Sequence, residues 1–278
     1  MKNVLVTGGT GKTGRKVAVK LTDRGYHVRI GSRKAVPSFD WENPDSWPLA
    51  MDGIDMAYVC FQPDLAVPGA LEIIKAFTKQ AIDSGIKKLV LLSGKGEKEA
   101  ELCEDVIINS GLSFTIVRAT WFSQNFSESF LLQPILAGHV ALPKPHALVP
   151  YIDTDDISDV VVQSLIDDKH NGQLYELTGP RQLKFEDVVN EISKATDRKI
   201  AYTPISMTEY NQFMQEAGVP PAHIWMINYL FEEVLDTPGN EIVTNDVEKV
   251  LGRKAKDFSL YARQTAATGV WNQTVPAL

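Results

Sequence analysis

Cysteine is scarce: Cys60 and Cys103 are the only two in 278 residues, and they form no CxxC pair. That excludes a disulfide framework and a thiolate metal cage, and it fits a reducing compartment. Both thiols are expected to be buried fillers rather than nucleophiles. The five histidines are scattered without ligand spacing, so no metal is expected. No apolar run approaches the roughly 20 residues needed to cross a bilayer. No long basic block appears and the net charge is −7, which argues against nucleic acid and against a polybasic membrane contact. A strand pattern begins at residue 2, so no signal peptide is expected, and the expected location is cytoplasmic. Internal repeats and low-complexity segments are missing as well.

What is present is a 44% apolar chain, enough for a sizeable core, and one N-terminal motif. Residues 4–14 run Val-Leu-Val-Thr-Gly-Gly-Thr-Gly-Lys-Thr-Gly, a short strand leading into Gly8-x-x-Gly11-x-x-Gly14 and then a helical pattern. In such a turn Gly8 permits the tight bend, Gly11 lets a pyrophosphate approach the backbone, and Gly14 lets the helix pack closely. The helix N-terminus offers unpaired N–H groups and a positive dipole end to phosphates. Gly11-Lys12-Thr13 resembles the end of a P-loop, but Val6 occupies the upstream glycine position that motif requires.

The second strand, His27–Ile30, ends in Gly31-Ser32-Arg33-Lys34. An NAD site usually places an acid here for the ribose 2′-hydroxyl. This chain offers a hydroxyl and two cations, and Arg33 suits a 2′-phosphate. A charge-assisted contact of about 1.5–3 kcal/mol gives a roughly ten- to hundredfold preference for NADP(H). Asp40 sits where a third strand is expected to end. It suits either the adenine amino group or a simple turn.

Further strand candidates are Asp55–Phe61, Lys88–Ser93 and Ser113–Arg118, alternating with amphipathic helices. Leu71, Ile74, Phe77 and Ala81 form one helical stripe, closed at Ser84-Gly85. This βαβ alternation predicts an α/β fold with a doubly wound parallel sheet, followed by a smaller mixed α/β region. The expected division is residues 1–178 for the nucleotide domain and 179–278 for the substrate-facing region, with 126–146 contributing to the latter. The cluster Asp153-Thr154-Asp155-Asp156 is read as helix capping and dipole complementarity rather than chemistry. Leu174–Thr178 reads as a returning strand, and helices are expected over Phe185–Ala195 and Thr208–Ala217.

The N-terminal motif with Ser32-Arg33 resembles the NmrA-like atypical short-chain dehydrogenase/reductases. Several blocks outside that motif are similar to the fungal ergot-alkaloid reductases, the agroclavine and festuclavine dehydrogenases. They are Phe39-Asp40-Trp41, Val90-Leu91-Leu92-Ser93, residues 118–126, Pro150-Tyr151-Ile152, Gly218-Val219-Pro220-Pro221 and residues 246–253. The resemblance implies an NADPH-linked reductase, the named members of which reduce a cyclic iminium. By matching position it implies cofactor contacts from Gly8, Gly11, Lys12, Thr13, Gly14, Ser32 and Arg33, with Asp40 beside them. Phe61-Gln62-Pro63 and Ser93-Gly94-Lys95 are expected to join them from later strand ends. Thr120, Trp121 and Phe122 are expected to wall the nicotinamide side.

One expected piece of chemistry is absent. None of the eight tyrosines has a lysine four residues on, so the Tyr-x-x-x-Lys pair of ordinary short-chain dehydrogenases is missing; Gly96 and Ala100 fall at its sites. Hydride addition to an iminium carbon yields a neutral amine and needs no proton donor in that step. Orientation and field then carry the catalysis. Trp121, Phe122, Phe126 and Trp225, with Met226 and Tyr229, are candidate pocket walls. Lys95, Trp121 and Tyr151 are the candidates for a catalytic role. The reading is an NADPH-dependent oxidoreductase acting on a small imine, enone or quinone-like molecule, as a monomer or homodimer. A non-catalytic NADP(H) sensor controlling a partner protein is the alternative. An isomerase with a tightly held nucleotide is a third.

Overall fold

A computed structural model describes residues 2–272 of the chain. The elements follow in order: β1 (Asn3–Thr7), α1 (Gly14–Thr22), β2 (His27–Gly31), α2 (Trp47–Met51), β3 (Met56–Val59), α3 (Ala70–Asp83), β4 (Lys88–Gly94), α4 (Lys98–Ile108) and β5 (Ser113–Ala119). Then come α5 (Asn125–Glu128), α6 (Leu132–Ala137), β6 (His139–Leu142), α7 (Thr154–Ile166), β7 (Gln173–Leu177), α8 (Phe185–Thr196) and β8 (Ala201–Pro204). The chain ends with α9 (Met207–Glu216), α10 (Pro221–Tyr229), a π-helical segment at Leu230–Val234, α11 (Asp246–Leu251) and α12 (Phe258–Ala267).

Two compact units emerge, each discontinuous in sequence. The first comprises Met1–Ala119, Thr154–Leu177 and Asp246–Arg253; the second comprises Thr120–Asp153, Thr178–Asn245 and Lys254–Leu278. This partition differs from a single division at 178. The chain leaves the sheet after β5, returns for α7 and β7, leaves again, and returns for α11. Local patterning carries no mark of such excursions.

The first unit holds a six-stranded sheet in the order β2-β1-β3-β4-β5-β7, parallel throughout. Val4, Leu5 and Val6 in β1 and Ala57, Tyr58 and Val59 in β3 are fully buried. That is the signature of strands covered on both faces. The expected third strand is not formed. Residues 39–47 fold instead into a turn, with a lone bridge from Asp40 to Asn43. Two indoles pin this turn: Trp47 Nε1 donates to the Asp40 carbonyl at 2.7 Å and Trp41 Nε1 to the Cys60 carbonyl at 3.3 Å. Their rings pack with Phe39 and Phe77, so apolar burial replaces a sheet edge.

The acidic residues of α7 do more than cap. Asp155 pairs with Lys16 at 2.6 Å, and Arg253 bridges Asp156 at 2.6 Å and Asp159 at 2.7 Å. These pairs tie α1 and the 246–253 segment to α7 within the first unit. The second unit carries its own aromatic core and a parallel two-stranded sheet, β6 with β8. No helix among the described residues is long and apolar enough to cross a membrane.

Candidate nucleotide-binding site

The order of the first sheet reverses at β1, which lies between β2 and β3. Ligands in open parallel sheets sit beyond the carboxyl ends of the strands at such a switch point. The glycine turn is there. Gly8 adopts φ +61° and its carbonyl accepts the Gly11 N–H at 2.8 Å. A Cβ on Gly14 would run into the Gly8 carbonyl oxygen, and one on Gly11 would lie 3.2 Å from it. Position 14 needs glycine because a backbone oxygen cannot swing aside, whereas position 11 is tight. Gly9, which motif spacing does not single out, is confined too: a Cβ there would sit 2.9 Å from Ile30 and from the Val6 carbonyl. Thr7 locks β1 to the end of β3, accepting the Cys60 N–H at 2.8 Å and donating to the Tyr58 carbonyl at 3.1 Å.

The sequence-derived residues differ in how far the protein itself uses them. Lys12 lies in the turn, half-buried. Gln62 is exposed, and its amide nitrogen lies 3.4 Å from the place a Gly11 Cβ would occupy. Arg33 and Lys34 are exposed just beyond β2, and neither side chain has a partner among the described residues. Beside them, the Ser32 carbonyl accepts the Phe39 N–H at 3.0 Å. The Thr13 hydroxyl is buried against the Tyr58 hydroxyl at 2.8 Å. Phe61 points its ring at Trp41, 5.0 Å away, and Pro63 is exposed. Asp40 Oδ1 accepts the Glu42 N–H at 3.1 Å, an Asx-type turn.

The end of β4 is dominated by carboxyl groups. Ser93 donates to Glu104 Oε1 at 2.6 Å, and Arg118 grips the same carboxylate through Nε at 2.8 Å and Nη2 at 2.7 Å. Lys95 is 7% exposed, with its ammonium 3.5 Å from Glu176. Gly96 lies just before α4, and Ala100 within its first turn is fully buried.

Sequence reasoning missed one feature here. The Glu97 carboxyl folds back onto Gly94, where any Cβ would collide with it. It hydrogen-bonds Asp64, on the segment following β3. Burial, then the Asp64 charge, hold the Glu97 carboxyl well above its ordinary range; burial also raises Asp64. Two carboxyl groups joined this way share a proton. No short-range signal links residues 64 and 97. The lone glycine before Lys95-Gly96-Glu97 was the available hint. Burial raises both thiols, Cys103 to about 11; Cys103 is a buried filler as expected, whereas Cys60 is only half-buried.

In the second unit, Trp121 packs edge-on against Phe185 at 5.7 Å and Phe231 at 5.2 Å. Phe126 is fully buried between Tyr151 and Phe258. Phe122 forms a bridge to Ile152, with the Thr120 hydroxyl held by the Pro150 carbonyl at 2.7 Å. Trp225 stands apart from this core, 43% exposed and stacked on Tyr229 at 5.7 Å.

A glycine turn at the switch point of a doubly wound sheet is the architecture of a Rossmann-type dinucleotide-binding domain. No family model matches the chain. It is nevertheless similar over nearly its whole length to several curated proteins. Prestalk A differentiation protein A of Dictyostelium discoideum is 27% identical over 280 residues, covering 95% of this chain and 92% of that one. Agroclavine dehydrogenase of Claviceps purpurea is 26% identical, covering 93% and 96%. NAD(P)H azoreductase of Xenophilus azovorans is 28% identical, covering 95% and 98%.

Solved structures share the fold. A nucleoside-diphosphate-sugar epimerase from Staphylococcus aureus has a TM-score of 0.80 at 17% identity, covering 95% of this chain and 100% of that one. An NADPH-dependent quinone oxidoreductase from Escherichia coli, complexed with NADPH, has 0.79 at 16%, covering 94% and 99%. Nmra, a negative transcriptional regulator in complex with NAD, has 0.72 at 19%, covering 96% and 98%. These likenesses bear out the resemblance to the NmrA-like atypical short-chain dehydrogenase/reductases and to their ergot-alkaloid reductase branch. They bear out equally the expectation of an NAD(P)-dependent oxidoreductase.

Proposed function

We propose that the chain is an NADPH-dependent reductase that delivers hydride to a small cyclic imine or iminium, enone or quinone-like molecule without a Tyr-x-x-x-Lys pair. The observation that carries the cofactor choice is the pair Arg33 and Lys34. These exposed cations follow β2, have no protein partner among the described residues, and have no acid in the place an NAD site uses. The glycine turn fits a dinucleotide: Gly11 and Lys12 would receive the pyrophosphate at the α1 N-terminus, and Arg33 would grip the 2′-phosphate. When bound, the nicotinamide supplies the hydride. The protein's part is to bind, orient and exclude water. Ser93 and Lys95 are spent on internal carboxylates, which supports a reaction that asks little of a protein acid at that strand end.

The test is a calorimetric titration of the purified protein with NADPH, NADP⁺, NADH and NAD⁺ in one buffer, followed by an imine, enone and quinone turnover screen. Tight NADPH with weak NADH, together with NADPH oxidation by a member of the screen, supports the reading. Preference for the oxidised forms with no turnover favours a sensor and overturns the reductase.

A further inference from the structure

The aromatic core of the second unit contains polar hydrogens that the protein does not use. Trp121 Nε1 and the Tyr151 hydroxyl are buried, at 7% and 2% exposure, and neither has a hydrogen-bond partner. Elsewhere in this core Trp271 Nε1 donates to the Phe126 carbonyl at 2.8 Å and the Tyr261 hydroxyl to Ser127 at 2.8 Å, while the half-buried Tyr202 hydroxyl also has no partner. In the first unit Trp41 and Trp47 are paired as well. Of the four buried tryptophans among the described residues, Trp121 alone keeps its N–H unspent. Such a group costs about 1–3 kcal/mol, so native folds seldom leave one without a reason.

Both rings pack against Phe185, Trp121 at 5.7 Å and Tyr151 at 6.3 Å. The other ring neighbours, Phe231 for Trp121 and Phe126 and Phe258 for Tyr151, are carbon rings as well. The Tyr202 hydroxyl, itself without a partner, also bears on Tyr151. Phe231 stands on the π-helical segment Leu230–Val234, a geometry frequent at functional sites. Burial holds the Tyr151 phenol far above its ordinary range, so it stays a donor throughout the physiological range. The Asp187 carboxylate, which bears on Tyr151, already accepts the Lys184 N–H at 2.9 Å.

We propose that Trp121 Nε1–H and the Tyr151 hydroxyl determine substrate specificity by donating to a lone-pair acceptor, a carbonyl-type oxygen, on a flat ring substrate. The proposal rests on the reductase reading and narrows it. An indole N–H only donates. A quinone or enone oxygen satisfies it, whereas an iminium nitrogen has no lone pair to offer. A site built around buried donors rejects a ligand that leaves them unpaired.

The experiment compares two bicyclic probes, 1,4-naphthoquinone and N-methyl-3,4-dihydroisoquinolinium, by calorimetry with and without NADP⁺, which prevents turnover. Naphthoquinone is expected to bind at least about tenfold more tightly. Trp121→Phe and Tyr151→Phe should each remove most of that difference while leaving the ligand-free melting temperature unchanged or higher. Equal or tighter iminium binding, or no binding of either probe, overturns the proposal. So does unchanged naphthoquinone affinity in both variants. The comparison on the unaltered protein decides the matter if a variant folds poorly. NADP⁺ binding, read in the same titrations, reports on the reductase reading separately.

Discussion

Replacing Arg33 by aspartate tests the cofactor assignment at one side chain. Arg33 is exposed and its side chain has no hydrogen-bond or ion-pair partner among the described residues, so the substitution should leave the ligand-free stability within about 0.5 kcal/mol of the parent. Any loss then belongs to the nucleotide. A guanidinium fork on a 2′-phosphate contributes about 1.5–3 kcal/mol, and solvent exposure draws the expectation to the lower end. Arg33→Ala should therefore weaken NADPH binding roughly tenfold. Arg33→Asp adds repulsion between like charges and should exceed that. NADH, lacking the phosphate, should lose little in either variant, and the introduced carboxylate should even offer its ribose hydroxyl an acceptor. Calorimetric titration of all three proteins with both nucleotides reads the result. Equal losses for NADPH and NADH would refute the reasoning, because they would mean that Arg33 supports the turn rather than reading the phosphate.

Four further substitutions probe the surrounding structure. Gly14→Ala should lower the melting temperature and weaken both nucleotides alike, since its methyl meets the Gly8 carbonyl; an unchanged thermal melt would contradict that geometry. Glu97→Gln addresses the shared proton. The folded chain holds that proton above the ordinary carboxyl range while the unfolded chain releases it near pH 4, so the pair's contribution is full below about pH 4 and is lost as pH rises through the raised value. The variant should lose less stability than the parent between about pH 5 and pH 8 in denaturant titrations; identical slopes would disprove proton sharing. Arg118→Met leaves the 1%-exposed Glu104 carboxylate without its fork and should cost about 3–5 kcal/mol. Converting Glu104 to methionine as well should recover part of this loss in urea unfolding, and no recovery would mean that Ser93 and packing carry the interaction.

The readable parts of this chain are those whose physics is local. Three glycines at fixed spacing after an apolar strand describe a backbone path, and the turn follows that path. Short apolar runs mark the strands and a 3.6-residue stripe marks the helices; β2, β4 and β5 begin at the predicted residues and run one residue further. Arg33 was legible because it follows a strand end directly and no acid stands beside it. Residues 39–47 were not, since a strand signal there loses to the burial of Trp41 and Trp47 against Phe77, a contact made across roughly thirty residues or more.

What the sequence by itself determined is the backbone frame: a doubly wound sheet, its glycine turn, and two exposed cations, Arg33 and Lys34, just beyond β2. Each depends on neighbours within a few positions, through sterics and side-chain period. The tertiary structure alone decided how individual polar groups are used. It turned Thr13 to Tyr58 and Ser93 to Glu104, joined Asp64 to Glu97, and left Trp121 and Tyr151 with unspent hydrogens among aromatic rings. A hydrogen-bond partner is chosen by distance in space, and residues far apart in sequence meet only once the chain has folded.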